Sequence, residues 1–171
     1  MQYNLHVIVV HFPVALLFMY SVIKILPFRK FFPRVEWRQI ERFLLIFGML
    51  GILASFTTGQ ASRRLVAPQR DLVHMHTNFA SATAWFYGLL LGGEVFAVLN
   101  RAVFNRLKIR PLSWLGETIE KILCQPALSW FLALAGLICL TITGALGGAM
   151  AFGLSADPMT PYILKMLGLT V

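Results

Sequence analysis

The chain has 171 residues, of which 58% are apolar and 13% charged, and its mean hydropathy is +0.73. A soluble domain carries about 25% charged residues. The composition therefore excludes a disordered chain, a disulfide-rich secreted scaffold and an ordinary nucleic-acid-binding module, and it points to a polytopic membrane protein. The formal charge is 15 − 7 = +8, and its distribution matters more than its sum.

A membrane span needs about 20 mostly apolar residues. Four segments qualify, at about 5–26, 43–61, 72–99 and 127–154. Backbone amides in lipid must find partners within the chain, so the spans are expected as helices. The expected fold is an all-α integral membrane four-helix bundle forming one domain over 1–171. No residue-level repeat is evident. The opening MQYNL lacks the basic start of a secretory signal, and the first span reads as a retained helix.

Charge then orients the chain. The first connection holds Lys24, Arg29, Lys30, Arg34, Arg38 and Arg42; the third holds Arg101, Arg106, Lys108, Arg110 and Lys121. Those 11 of the 15 basic residues lie on one side, against Arg63, Arg64, Arg70 and Lys165 on the other. The excess places the first and third connections in the cytoplasm and both termini on the outer, periplasmic side of a bacterial inner membrane. Residues 113–123 space Trp114, Leu115, Ile119 and Ile122 as a short helix in the headgroup layer. The tail after Ser155 is too short to span and is expected on the outer face. The basic loops favour anionic lipid, and no nucleic-acid recognition element is visible. Cys124 and Cys139 lie about 20 Å apart along a helix and cannot bridge. No CxxCH, GxSxG, HExxH or GxxxxGK[ST] pattern occurs.

All four histidines fall near outward ends of spans: His6 and His11 in the first, His74 and His76 in the third. Imidazole is a common haem and metal ligand, and ionisable groups within a membrane usually face the interior. His6 and His11 differ by about 140° around the helix, and His74 and His76 by about 200°, so each helix offers one axial ligand at most. Depth favours His11 with His76. The leading expectation is a b-type cytochrome-like or anchor subunit of an electron-transfer complex, with one bis-His haem b near the periplasmic face between the first and third spans. Asn78 and Thr58 would line it, with Gly144, Gly147 and Gly148 letting a macrocycle approach the fourth span. A zinc or copper site on the same histidines, and a purely structural or assembly subunit of a respiratory or photosynthetic membrane complex, are the alternatives. Glu94 reads as snorkelling to an interface, and Trp85 as a packed core residue.

His6 to Pro13, HVIVVHFP, resembles the HPxxVHFP signature of a widespread bacterial four-span membrane domain family of unassigned function. Gly51 to Gly59, then Asp71, His74 and Asn78, then Gly144, Leu146, Gly147 and Gly148 are similar to its later motifs. Val7 stands where that family has proline. The resemblance implies the four-span fold and favours His74 over His76.

Overall fold

The computed structural model describes residues 5–62, 70–104, 110–153, 158 and 160–168. Four long helices dominate: α1 (Leu5–Ile25), α3 (Trp37–Ser62), α4 (Arg70–Leu99) and α6 (Pro126–Phe152). Each is long and apolar enough to cross a membrane, and the chain is a multi-pass, all-α membrane protein with no strand among the described residues. Shorter elements are α2 (Phe28–Phe31), a π-helical turn (Asn100–Phe104), α5 (Arg110–Leu123) and α7 (Thr160–Met166).

The helix limits depart from the apolar runs for local reasons. α3 begins at Trp37 rather than 43 because Arg38, Glu41 and Arg42 continue the helix as partners in ion pairs. α6 begins at Pro126, where the missing amide costs nothing. It stops at Phe152 because Gly153 takes φ +88°, a left-handed geometry that glycine tolerates. Residue 154 and its neighbours to 157 lie outside the described residues, as do Arg63, Arg64, Arg106 and Lys108 and the side chains of Arg101 and Arg110. The tail forms α7, whose buried Leu164 packs with Leu72, Ile142 and Leu146.

α1 packs tightly on α3, and α4 on α6; α1 also meets α6, while α4 meets α3 more lightly. Glycines set both close contacts. A Cβ at Gly48 would come 2.5 Å from Leu17, and one at Gly51 2.9 Å from Pro13. A Cβ at Gly136 would come 3.0 Å from the Tyr87 ring.

The two hairpins share one register. His6 meets Gly59 and Leu17 meets Gly48; 70 residues on in the first helix and 88 on in the second, His76 meets Gly147 and Tyr87 meets Gly136. Burial follows the same shifts. Pro13, Leu17, Tyr20 and Ile23 correspond to Thr83, Tyr87, Leu90 and Gly93. Glu41, Leu45, Gly48 and Ile52 correspond to Ser129, Ala133, Gly136 and Leu140. This pseudo-repeat is one of register and burial rather than of residue identity. Along α1 and α4 only His6 and His76 are identical, and the connection from α4 to α6 is 18 residues longer in register than that from α1 to α3, which is the difference between the two shifts and makes room for α5.

Between the hairpins sits a polar knot. Ser21 and Tyr87 share a 2.7 Å hydroxyl bond, and the Ser21 hydroxyl also lies 3.3 Å from the Ala133 carbonyl. Tyr87 is fully buried, edge-on to Tyr20 with ring centroids 6.1 Å apart. The knot ties α1, α4 and α6 where hydrocarbon offers polar groups no partner.

Candidate functional site

The histidines divide into an inward pair and an outward pair. His6 projects from α1 onto α3, where its Nδ1–H donates to Thr58 Oγ1 at 3.0 Å. The Thr58 hydroxyl in turn donates to the Ala54 carbonyl at 2.9 Å. His76 projects from α4 onto α6, where its Nδ1–H donates to the Thr143 carbonyl at 3.0 Å. Each ring fills the space left by a glycine: ideal Cβ atoms at Gly59 and Gly147 would lie 3.1 and 3.3 Å from the respective Cε1 atoms. The inward pair thus occupies equivalent positions in the two hairpins.

His11 and His74 face the other way. His11 is exposed on α1, and its Nδ1–H folds back to the Val7 carbonyl one turn earlier. It lies about 160° around α1 from the buried Pro13 position. His74 is exposed on α4, its Nδ1 accepting from Asn78 Nδ2 at 3.3 Å.

These positions do not fit the expected haem. His11 is exposed on α1 with its Nδ1–H bonded to the Val7 carbonyl, rather than turned inward as His76 is. Thr58 and Gly147 are occupied by histidine rings rather than open toward a macrocycle. Gly144 and Gly148 have open space around them, but neither inward imidazole rests on them. For zinc or copper, no cluster of three or more His, Cys, Asp or Glu side chains suited to a metal ion occurs among the described residues. Both cysteines are free.

Two further expectations are corrected. Trp85 is not in the core: it is 71% exposed on the outer face of α4. Glu94 does not merely snorkel. It accepts from Arg42 Nε at 2.7 Å and pairs with Arg38 at 3.6 Å, joining α3 to α4. Beside it, buried Glu41 binds Arg29 at 2.7 Å and Lys24 at 3.2 Å, joining α3 to α1 and α2. Sequence reasoning missed Glu41, although an acid among the six arginines and lysines of one connection was the available signal.

At the same end Trp37 donates to the Phe32 carbonyl at 2.9 Å, and Trp130 lies 3.4 Å from the Ile25 carbonyl that α1 leaves open. α5 presents Leu112, Trp114, Leu115 and Ile122 outward and packs its other side on α4, as expected for a helix at the membrane surface. The Cys124 thiol, between α5 and α6, is pushed up by burial and then by the nearby Glu94 and Glu120. Comparison with protein-family models, curated proteins and solved structures finds no match for this chain.

Proposed function

We propose that the chain is a non-enzymatic structural subunit of a larger assembly in the bacterial cytoplasmic membrane. Its four long helices act as one bundle, with both termini on the periplasmic side. One observation carries this reading: two histidines, a Ser–Tyr pair and two glutamates that face inward each join one helix to another. His6 ties α1 to α3, His76 ties α4 to α6, the Ser21–Tyr87 pair ties α1 to α4, and Glu41 and Glu94 bind the opposite ends. The Nδ1–H of each inward imidazole is engaged with the fold, which fixes the orientation of the ring. Orientation is supported by the basic connections, which with Trp37, Trp130 and α5 gather at one end of the long helices.

Two substitutions test the role of the histidines. An asparagine Nδ2 reaches nearly the same point as imidazole Nδ1. His76→Asn is therefore expected to keep the bond to Thr143 and most of the stability, while His76→Leu loses both. The detergent-purified protein is expected to give a flat oxidised-minus-reduced spectrum. A Soret band that disappears in His6→Asn or His76→Asn would overturn the structural reading in favour of haem.

A further inference from the structure

The outward face of α4 carries polar and small residues where that of α1 is mostly apolar. Its row runs Asn78, Ser81, Trp85, Gly88 and Gly92, five positions at helical spacing. The same row on α1, 70 residues earlier, reads Ile8, His11, Ala15, Phe18 and Val22. Four of those five are ordinary apolar side chains, so the chain carries its own control. Where α1 has Phe18, α4 has Gly88, whose Cβ position meets only the Met49 tip at 3.8 Å. Gly92 has nothing within 4 Å. The missing side chains leave a groove of about 350 Å³ lined by Ala84, Trp85, Gly88 and Leu89.

Depth makes the row costly. Trp85 lies midway along α4 (Arg70–Leu99). Asn78 is seven residues nearer the start, about 10 Å from the midpoint, so both belong within a hydrocarbon layer about 30 Å thick. The Trp85 indole N–H has no partner among the described residues. Asn78 is exposed and gives one amide proton to His74. Acyl chains offer neither group a hydrogen bond, whereas a neighbouring helix does.

We propose that this face of α4 is a two-fold interface with a second copy of the same chain. Three features select a copy over another partner. Asn has both donor and acceptor, so Asn78 complements Asn78 across a two-fold axis. Copies inserted the same way carry identical residues at identical depth, which a two-fold along the membrane normal requires. The projecting Trp85 and the Gly88 floor lie one turn apart, so the knob of one copy seats in the groove of the other. The row holds no formal charge, so nothing in it selects a charged partner. The inference goes beyond the proposed structural role and stands or falls apart from it.

The test uses the full chain with Cys124 and Cys139 replaced by serine, reconstituted in phosphatidylethanolamine–phosphatidylglycerol vesicles. Single cysteines at Leu89→Cys on α4 and Ala15→Cys on α1 are oxidised in parallel. Covalent dimer is expected from Leu89→Cys and little from Ala15→Cys. Adding Asn78→Leu is expected to weaken association about tenfold. Asn78→Gln, which keeps donor and acceptor, is expected to retain it, and equal helical circular dichroism shows that each variant folds. Equal cross-linking at positions 15 and 89, a one-copy mass at every lipid ratio, or unchanged association in Asn78→Leu would each overturn the interface. A flat optical spectrum, by contrast, concerns only the structural role.

Discussion

Pro13 of α1 lies directly over Gly51 of α3: a Cβ at position 51 would stand 2.9 Å from Pro13 Cβ and 3.0 Å from Cδ. A proline ring is tied to its backbone and cannot swing aside. Gly51→Ala therefore has to push the two helices apart, at a cost of about 1–3 kcal/mol. Gly48→Ala is expected to fall in the same range, since Leu17 is fully buried and has nowhere to move. Gly92→Ala meets open space and gains helix propensity of up to about 1 kcal/mol. Unfolding midpoints of the three variants in mixed detergent and denaturing surfactant check this order. A Gly51→Ala variant as stable as Gly92→Ala would contradict the tight α1–α3 seam.

The Ser21–Tyr87 bond should be worth little singly and more as part of the knot. Hydrogen bonds between membrane helices average about 0.6 kcal/mol because the separated helices also find partners. Tyr87→Phe and Ser21→Ala are each expected to cost about 1 kcal/mol, with Tyr87→Phe leaving the ring packed on Gly136. The double variant should cost less than the sum, because removing either hydroxyl already breaks the 2.7 Å bond. Strict additivity in a double-mutant cycle would show that the two groups are not coupled.

How much of this was legible in the sequence depends on what each residue faces. The four spans follow from length and hydropathy, since lipid leaves the backbone little choice. The outward direction of Trp85 and His11 did not follow, because both helices are apolar over most of their surface and the polar and small row of α4 does not by itself say whether it faces in or out. Angular spacing correctly separated His6 from His11 and His74 from His76, but could not say which of each pair points inward. The inward members are named by Gly59 and Gly147, glycines that leave room for the rings. The register repeat was illegible for a related reason. Burial is retained position by position, while side-chain identity in the first helices survives only at His6 and His76.

Glu41 and Glu94 each hold two cations at the charged end, and they should respond unequally. The Glu41 side chain is 7% exposed and accepts from two cations, whereas Glu94 is 23% exposed. The partners Lys24 and Arg29 are partly solvated and can turn outward when Glu41 is removed, which discounts the full buried-pair penalty. Glu41→Gln is expected to cost about 1–3 kcal/mol. Arg38→Ala, which loses only a 3.6 Å contact from an exposed side chain, should cost at most about 0.5 kcal/mol. Thermal melts in detergent at fixed ionic strength distinguish the two. An Arg38→Ala loss matching that of Glu41→Gln would show that burial does not set the ranking.

Cys124 supplies a pH readout of the same end. Its thiol lies above the ordinary range because burial disfavours the charged thiolate, and Glu94 and Glu120 add to the shift. Since the thiolate is the reactive form, alkylation should be slow near neutral pH and should rise at higher pH than for an exposed cysteine. Glu120→Gln removes one of the two raising charges, so its alkylation profile should move toward lower pH. Cys139, within α6, is the other free thiol, so the measurement is made with Cys139→Ser and a water-soluble maleimide. A profile for Cys124 that coincides with that of free cysteine, and does not move in Glu120→Gln, would show that this thiol is open to water and remote from the carboxylates.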